Sequence, residues 1–401
     1  MNFTFIIGNG FDINLGLRTK YTDFYEYIKK NNLLESNIFF EKIREDIKYW
    51  EDFEKMLGIM TCFDKDISLF MKRINQCHLN IGSEEVENLA KHLLGDGTKA
   101  ITWKKYNKDL KEFYTEFRKY LELEEKRIEI SDKENSRRIT NSLLHFWEDF
   151  EEDEQKKFFE NIDEAIKQQN MGWNVFDSSS SEETFSFSFE FLNFNYSSTL
   201  ENMLQYLDLE FLGNRWSFLI KKKLKKNVKV KININHYHVH ANKNTGMFLG
   251  VDNHFQLNEK FFPNIDMMDT IIKPYKIDDY VDGNTDNYKN ILVNSDYIYI
   301  FGMSVGITDL TWWKVCIELI KNNPVKIVIH YFENDFRIDI GDYEYTLNKD
   351  KVRKILLRYD ESFEDIMDRS SRRKIKNKII PVSNSQIMFN DKWNEISVNK
   401  N

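Results

Sequence analysis

The chain has 401 residues, of which 41% are hydrophobic and 15% aromatic, so it can bury a sizeable core. Its formal net charge of -8 argues against a dedicated nucleic-acid binder, and nucleic acid is not expected as a partner. Cys62, Cys77 and Cys316 lie far apart in the sequence without a CxxC pair, which argues against a thiolate zinc module and a disulfide framework. No uncharged apolar run approaches the roughly 20 residues of a membrane helix, so we expect a cytoplasmic protein without membrane association.

The first predicted element is a buried strand at residues 3–7, which leads directly into the turn Gly8-Asn9-Gly10-Phe11-Asp12. Two glycines at such a turn allow the backbone to approach a phosphate closely, and the next helix would present N–H groups to that anion. The third glycine of the G-x-G-x-x-G pattern is missing, unless Gly16 plays a related part. The alternative is a tight strand-to-helix turn that binds no ligand.

Helical patterning dominates the next part of the chain. A helix is predicted from about Thr22, which can cap it, and Phe24, Tyr25 and Ile28 are its inward-facing candidates. Residues 36–182 then combine charged residues with aromatics at helical spacing, which predicts a set of packed amphipathic helices. This section would be a lid, a sensor surface or an oligomer interface, and we expect a homo-oligomer.

Strand patterning returns after residue 182, and helical segments separate the strands. This alternation indicates a parallel sheet connected by crossovers, so the predicted fold class is α/β, doubly wound and mainly parallel. The predicted strands lie at residues 185–194, 228–240, 295–302 and 325–332, with a helix at 312–321. The predicted domains are a discontinuous nucleotide-binding α/β domain of residues 1–35 and 183–335, a large all-helical insertion of residues 36–182, and a C-terminal segment of helix and loop at residues 336–401.

Polar residues follow the predicted strand at 185–194. Ligands bind at the C-terminal ends of the strands in an open parallel sheet, so a site residue is expected at this position. Asn195 is placed there to orient a water molecule or a ribose hydroxyl. The alternative is an Asx-type helix cap, with Ser197 or Ser198 in the capping role.

Three histidines end the next predicted strand, at positions 236, 238 and 240. Strand alternation places all three on one face, where imidazoles can converge on a metal ion. No cluster of Asp, Glu or Cys stands nearby at metal-ligand spacing, and no metal cofactor is expected. A single histidine that acts as a general base, with a pKa near neutrality, is the preferred function for this segment.

The last candidate segment, Phe301–Asp309, follows the predicted strand at 295–302. Its glycines and small hydroxyl residues, among them Gly302 and Ser304, suit a phosphate or ribose contact. Asp309 is suited either to holding ribose hydroxyls or to capping the helix predicted to start near Leu310.

The order of these motifs is more specific than any one of them, and it resembles the AbiH family of phage abortive-infection proteins. The resemblance spans about residues 3–313 and implies an antiphage abortive-infection effector. Its most specific part is the opening, Ile7-Gly8-Asn9-Gly10-Phe11-Asp12 with Gly16-Leu17, Thr19-Lys20-Tyr21 and Phe24. The segment Trp50-Glu51-Asp52-Phe53-Glu54 resembles the family's early Trp–acid segment, and Phe194-Asn195-Tyr196, His238-Val239-His240 and Gly302-Met303-Ser304 with Asp309 follow in the expected order.

The same order looks like a distant version of the Rossmann-like, sirtuin-like NAD-binding domains of bacterial defence. That resemblance implies two catalytic residues, Asn195 to position water or ribose and His240 as the base. It also implies that the glycines of the first turn meet the pyrophosphate, and that Ser304 and Asp309 face the adenosine side. The full set assigned to nucleotide binding is Gly8, Asn9, Gly10, Phe11, Asp12, Thr19, Tyr21, Tyr196, Gly302, Ser304 and Asp309.

Three positions depart from the sirtuin-like pattern. Asp12 stands where that pattern usually has Ser, Arg18 replaces a proline, and Ala241 replaces a glycine after His240. The chain also lacks the four-cysteine zinc module of deacetylating sirtuins, which argues against deacetylation.

The function hypothesis is an NAD glycohydrolase that cleaves NAD to nicotinamide and ADP-ribose. NAD or a related dinucleotide would be the substrate, and a phage-derived molecule would be the trigger. One alternative is a nucleotide-binding sensor without catalysis, which the departures at Arg18 and Ala241 favour. A second alternative is a metal-dependent nuclease that uses the histidine cluster together with the basic runs at residues 221–226 and 372–376.

Overall fold

A six-stranded sheet with the order β3-β2-β1-β6-β7-β8 organises the chain, and every neighbouring pair in it is parallel. The chain winds from β1 outward to β3 on one side and from β6 outward to β8 on the other, so the strand order reverses between β1 and β6. The predicted doubly wound, Rossmann-like α/β fold is therefore confirmed. The strands are β1 (Asn2–Ile7), β2 (Thr184–Asn193), β3 (Lys229–His238), β4 (Ala241–Asn242), β5 (Gly246–Met247), β6 (Tyr297–Phe301), β7 (Lys326–Tyr331) and β8 (Ile379–Ser383), with β4 and β5 forming a separate antiparallel pair.

Helices connect and cover the strands. The computed structural model describes residues 1–43, 53–64, 66–79, 82–94, 101–127, 132–171, 183–242, 246–280, 285–332, 342–360, 363, 368–383, 385 and 387–389. Its α-helices are α1 (Gly10–Asn14), α2 (Tyr21–Lys30), α3 (Ile38–Ile43), α4 (Phe53–Thr61), α5 (Ile67–Gln76), α6 (Ser83–Leu94), α7 (Trp103–Glu125), α8 (Asp132–His145), α9 (Glu152–Met171), α10 (Thr199–Leu204), α11 (Leu209–Leu224), α12 (Ile265–Asp269), α13 (Lys273–Tyr280), α14 (Thr285–Val293), α15 (Leu310–Asn322), α16 (Asp342–Leu357) and α17 (Arg369–Lys376).

The predicted strands form because their apolar residues fit a buried, pleated surface. The strand β2 alternates phenylalanine with polar residues, and its four phenylalanines from Phe185 to Phe191 are all buried. Phe5 of β1 stacks between Phe191 and Tyr299 of the neighbouring strands, with ring centroids 5.1 and 4.8 Å away. This row of rings across the sheet forms the core that fixes the position of each strand end.

The two faces of the sheet are covered by different parts of the chain. Helices α8, α9 and α11 pack on the face that carries the phenylalanines. Helices α14, α15 and α16 pack on the opposite face. Helices α2 to α7 form a separate apolar cluster with residues 249–272. The described helices of the predicted insertion, residues 36–182, therefore pack in two groups, α8 and α9 against the sheet and α3 to α7 in the separate cluster, while its proposed domain boundaries remain a prediction.

Two local expectations differ from the structure. Helix α2 begins at Tyr21, so Thr22 lies inside its first turn and is not its cap. The Asp23 carboxylate instead accepts a hydrogen bond from Lys20 N at 3.3 Å. The predicted inward-facing residues Phe24, Tyr25 and Ile28 are buried as expected. The C-terminal segment, predicted as helix and loop, also supplies β8, which pairs with β7. The sulfur atoms of Cys62 and Cys77, distant in sequence, lie 3.2 Å apart as buried thiols.

Candidate functional site

A cavity of about 1230 Å³ opens at the carboxyl edge of the sheet, where the strand order reverses. Its wall combines the turn after β1, the segment after β2, the loop after β6 and the end of β7 with α16. A doubly wound sheet leaves a crevice at this reversal because the connections on its two sides leave in opposite directions. The cavity exceeds the roughly 300–1,000 Å³ of a typical small-molecule site, so it can hold a ligand as large as a dinucleotide.

The turn after β1 packs directly against the loop after β6. Gly8 N donates to Phe301 O and Gly10 N to Gly302 O, each at 2.9 Å. A methyl group on Gly10 would lie 2.5 Å from the Cα atom of Gly302, which itself has a φ of +69°. These glycines therefore permit the close approach of two loops. Phe11 N is also engaged, because it donates to Gly8 O, so the donors that the sequence assigns to a pyrophosphate already serve the backbone.

Of the other predicted residues of this turn, some line the cavity and one is buried in the hydrophobic core. Gly10 lines the cavity with Asn9 and Thr19, and Thr19 Oγ1 donates to Asn9 Oδ1 at 2.5 Å. Asn9 Nδ2 donates back to Thr19 O at 3.1 Å, so this pair fastens the turn to the segment before α2. Phe11 is fully buried and meets Phe389 edge-on at 4.8 Å. Its predicted nucleotide contact is not supported, because its side chain belongs to the core.

Asp12 lies on the cavity wall with its carboxyl group almost completely buried. Ser197 Oγ donates to Oδ2 at 2.6 Å, whereas Oδ1 has no hydrogen-bond partner in the described part of the chain. Burial raises the pKa of Asp12 to about 7, against the opposing effect of the Ser197 hydrogen bond. The alternative, a helix cap by Ser197 or Ser198, is not supported, since Ser198 occupies the N-cap position of α10 without a side-chain capping hydrogen bond.

Asn195 presents an unsatisfied amide to the cavity. It is 2% exposed, and neither Oδ1 nor Nδ2 has a hydrogen-bond partner among the residues that the structure describes. Its backbone is fixed, because its N–H donates to Asn193 Oδ1 at 3.0 Å and its carbonyl oxygen lies 2.6 Å from His238 Nε2. A buried polar group without a partner costs about 1–3 kcal/mol, so the amide of this anchored residue is suited to a ligand or a water molecule.

His240 lines the same cavity as Asn195 and belongs to a group of linked ionisable side chains, here called the lysine cluster and formed by Glu54, Lys273, Asp309 and His240. Lys273 Nζ lies 2.6 Å from Glu54 Oε2 and 2.7 Å from Asp309 Oδ1. His240 Nε2 lies 3.3 Å from the same Asp309 oxygen. Lys273 is 2% exposed, so its two carboxylate partners are what make its charge tolerable at this depth.

The pKa values of the lysine cluster follow from burial and from neighbouring charges. Burial lowers the pKa of His240, and the positive charge of Lys273 lowers it further. Together these two effects outweigh the opposing effect of Asp309. Burial acts to raise the pKa of Asp309, but Lys273 and His240 hold it well below its usual range. Burial acts to lower the pKa of Lys273, but Asp309 and Glu54 hold it above its usual range. His240 is therefore a neutral base near pH 7, next to a fixed ion pair.

Two tyrosines attach Glu54 to the cavity wall. Tyr21 Oη donates to Glu54 Oε1 at 3.1 Å, and Tyr196 Oη donates to the same oxygen. The Tyr196 ring lies nearly parallel to the His240 ring, with centroids 6.0 Å apart. Tyr21 and Tyr196 therefore line the cavity as expected, and their hydroxyl groups also position the carboxylate that holds Lys273.

Asp309 contributes to the lysine cluster and does not cap the next helix with its side chain. It occupies the N-cap position of α15, but its side chain makes no capping hydrogen bond. The carboxylate contacts Lys273 and His240, and its predicted contact with ribose hydroxyls stays a prediction. Gly302 and the exposed Ser304 do lie on the cavity wall, in the loop that crosses its middle.

His236 and His238 are separated from His240. Strand β3 ends at His238, and both histidines face Glu201, whose Oε1 lies 3.3 Å from His236 Nε2 and 2.5 Å from His238 Nδ1. Burial opposes ionisation of Glu201, but the two imidazoles hold its pKa well below its usual range. The expectation that all three histidines share one face is therefore wrong. Across the described residues, no group of three or more His, Cys, Asp or Glu side chains is arranged to hold a metal ion.

Sequence reasoning missed Lys273 and the role of Glu54. Glu54 was noticed only as part of the Trp–acid segment, of which Trp50, Glu51 and Asp52 lie outside the described residues. Lys273 precedes Pro274 at the start of a short helix, in a pattern that resembles any exposed helix start. No local signal marks it, because both of its partners are distant in sequence, Glu54 by 219 residues and Asp309 by 36.

The fold and the site define a class, a Rossmann-like α/β protein with a cavity of dinucleotide size at the strand-order reversal. A neutral histidine lines that cavity together with an amide that has no partner among the described residues. The sequence profile of the family described as "Bacteriophage abortive infection AbiH" matches residues 4–331. The chain belongs to the AbiH family of bacteriophage abortive-infection proteins, which implies a role in abortive infection. No curated protein and no solved structure matches the chain. Within the described ranges, none of the helices has the length and apolar character needed to cross a bilayer.

Proposed function

We propose that this protein is an NAD glycohydrolase that acts as a cytoplasmic effector of abortive infection. The observation that carries the proposal is the Asn195 amide, which is buried, unsatisfied within the described structure and placed on the wall of the cavity that the neutral His240 also lines. The size of the cavity and its position at the strand-order reversal support a dinucleotide as the ligand.

The proposed reaction breaks the bond between C1′ of the ribose and the ring nitrogen of nicotinamide. Nicotinamide leaves as a neutral molecule with the bonding electron pair, and an oxocarbenium-like ribose remains. A water molecule adds to C1′ and loses a proton to His240, which gives ADP-ribose. Asn195 would orient that water or a ribose hydroxyl through its amide, and such positioning and proton transfer need no metal ion.

The lysine cluster supports this assignment through its charges. Lys273 keeps Asp309 ionised, so Asp309 can stabilise the positive charge that develops on His240 when it accepts the proton. Asp12, with a pKa near 7, is a second proton-exchanging group on the same wall. The alternative of a nuclease loses its main support, because His236 and His238 are both engaged by Glu201.

The proposal is tested by incubating the purified protein with NAD and following nicotinamide by chromatography. Nicotinamide release should be lost in Asn195→Ala. It should persist in Asn235→Ala, a matched change on β3, where the exposed side chain donates to Glu190. If NAD neither loses nicotinamide nor raises the melting temperature of the protein, the NAD assignment is wrong.

A further inference from the structure

A second buried histidine lies on the cavity wall, away from His240. His330 is the fifth residue of β7, it is 7% exposed, and it lines the cavity. Neither of its ring nitrogens has a hydrogen-bond partner within the described ranges of the chain. The proposed reaction does not use this residue. A buried imidazole with both nitrogens unsatisfied lowers stability unless a ligand or a water molecule completes its hydrogen bonds.

The position of His330 in the sheet relates it to Asn195. Asn195 follows β2, and His330 is the penultimate residue of β7, three inter-strand steps or about 14 Å further along the carboxyl edge. The strand-order reversal between β1 and β6 lies between them. A dinucleotide in a doubly wound sheet lies across this reversal with one mononucleotide half on each side. The two unsatisfied side chains therefore mark opposite halves of such a ligand.

The chemistry around His330 suits an uncharged aromatic ring. Burial lowers the pKa of His330 to about 3, so its imidazole is neutral and offers one N–H donor and one acceptor nitrogen. The Phe301 ring lies 5.5 Å away at a steep angle. The exposed Phe332 also lines this end of the cavity, whereas Ile329, Val352 and Ile355 line it from the opposite face of the sheet. A phosphate would need cations or several N–H donors, which a neutral imidazole in apolar surroundings does not supply.

The cation at this end of the cavity is Arg358, and it lies beside the loop after β6. Its guanidinium Nη2 donates to Val305 O and to the Tyr359 hydroxyl group, each at 2.8 Å. Because β6 lies between β1 and β7 in the sheet, a pyrophosphate that joins the two halves of a dinucleotide would pass near this guanidinium. This arrangement leaves the apolar wall around His330 for the base.

We propose that His330 binds the adenine base of the dinucleotide, and that Phe301, His330 and Phe332 form a base-recognition lobe. One imidazole nitrogen would hydrogen-bond the edge of the purine, and the two phenylalanines would pack against its faces. The identity of the base rests on the proposed function, which names NAD as the ligand. The adenosine side then lies at β7, at the opposite end of the cavity from Asp309.

The test compares two ligands in the full-length protein. ADP-ribose contains the adenine half, and nicotinamide mononucleotide lacks it. His330→Phe should weaken ADP-ribose binding about tenfold, since a hydrogen bond in a binding site is worth on the order of one decade in affinity. Binding of nicotinamide mononucleotide should not change. For NAD hydrolysis the same variant should raise KM about tenfold and leave kcat unchanged, because the lost contact is equal in ground and transition states.

His330→Gln is the matched variant, because its amide retains a donor and an acceptor. It should keep ADP-ribose affinity within about threefold of the unmodified protein. Melting temperatures of both variants verify that each is folded. Equal weakening of both ligands in His330→Phe would mean a general effect on the fold and would overturn the proposal. Unchanged ADP-ribose binding in that variant would overturn it as well.

The outcomes also separate this proposal from the proposed function. Nicotinamide release with normal KM in His330→Phe would support the glycohydrolase and overturn the base-recognition lobe. Binding of ADP-ribose through His330 without nicotinamide release from NAD would support the lobe and overturn the glycohydrolase. Absence of binding by ADP-ribose, nicotinamide mononucleotide and NAD would overturn both.

Discussion

His240 and the pair His236/His238 come from one short stretch of sequence but have different surroundings. His236 and His238 lie on β3 and face a single carboxylate, that of Glu201 in α10. His240 has left the strand and lies 3% exposed beside Asp309, in the lysine cluster. The comparison teaches that strand alternation assigns a face only while the strand lasts. Two residues after β3 ends, a side chain can serve another site with another partner.

The largest expected effect is the loss of NAD hydrolysis when His240, and not His236, is replaced. His240→Ala should reduce NAD hydrolysis by about 100- to 10,000-fold, the usual contribution of a general base, because no proton acceptor would remain at that position. His236→Ala, a matched change on β3, should reduce it less than about threefold, because His236 contacts Glu201 and does not line the cavity. Nicotinamide release by the purified variants measures both. If His236→Ala is the more damaging change, the assignment of His240 as the base is wrong.

The next effect concerns stability. Lys273→Met should lower the free energy of unfolding by about 3–5 kcal/mol, because it leaves two buried carboxylates, Glu54 and Asp309, without their cation. Lys276→Met is the matched control on the same helix. Lys276 contacts the Tyr114 hydroxyl and Leu249 O and pairs with no carboxylate in the described part of the chain. Its replacement should therefore cost less than about 2 kcal/mol. Denaturant unfolding of both variants tests the difference, and equal losses would contradict the role of the ion pairs.

A smaller effect concerns the pH dependence of the reaction. Because burial and Lys273 lower the pKa of His240 below its ordinary 6.5, the base stays unprotonated as the pH falls through 6.5. The rate of NAD hydrolysis should therefore remain on its plateau there and decline only at lower pH. Lys273→Met removes one of the causes of the lowered pKa, so its acidic limb should move to higher pH. The pH–rate profiles of the two proteins measure the shift, and a limb that moves to lower pH would disagree with this account.

The smallest effect on NAD hydrolysis is expected at Glu201, the carboxylate that His236 and His238 face. The pKa of Glu201 is held below its usual value, so its ionised form contributes stability above pH 4.5 that is lost as the pH falls below it. Glu201→Gln should remove about 1–3 kcal/mol of stability at neutral pH, the range for a hydrogen bond to a charged group, and should flatten the loss of stability in acid. Nicotinamide release should remain within about threefold of normal. Urea unfolding at pH 7 and pH 4 provides the test, and a steeper acid dependence in the variant would refute it.

Most of the sheet could be predicted from the sequence. Alternating phenylalanines identified β2, and the short apolar runs at residues 295–302 and 325–332 identified β6 and β7, with ends that agree to within two residues. The strand β8 was missed because the segment that contains it, Ile379–Ser383, is short and includes Pro381, which argues against a strand. It pairs with β7 at the edge of the sheet, where a proline is tolerated.

The candidate site could be predicted only in part. Asn195 and His240 follow strands in the sequence, and the topology of a parallel sheet brings such positions to one edge. The glycines of the first turn were identified correctly as unusual, but their role could not be inferred from the turn alone. Gly10 and Gly302 lie almost 300 residues apart in a chain of 401 residues, and each requires the other to lack a side chain.

The sequence by itself determined the periodic features of this protein, namely its buried strands, its helical sections, its family and the two residues proposed for catalysis. These features depend on local spacing, which is fully present in the order of the residues. Only the tertiary structure decided which charges meet, including the pairing of Lys273 with Glu54 and the separation of His240 from His238. Electrostatic partners are set by distance and burial in the folded chain, and residues from anywhere in the sequence can satisfy them.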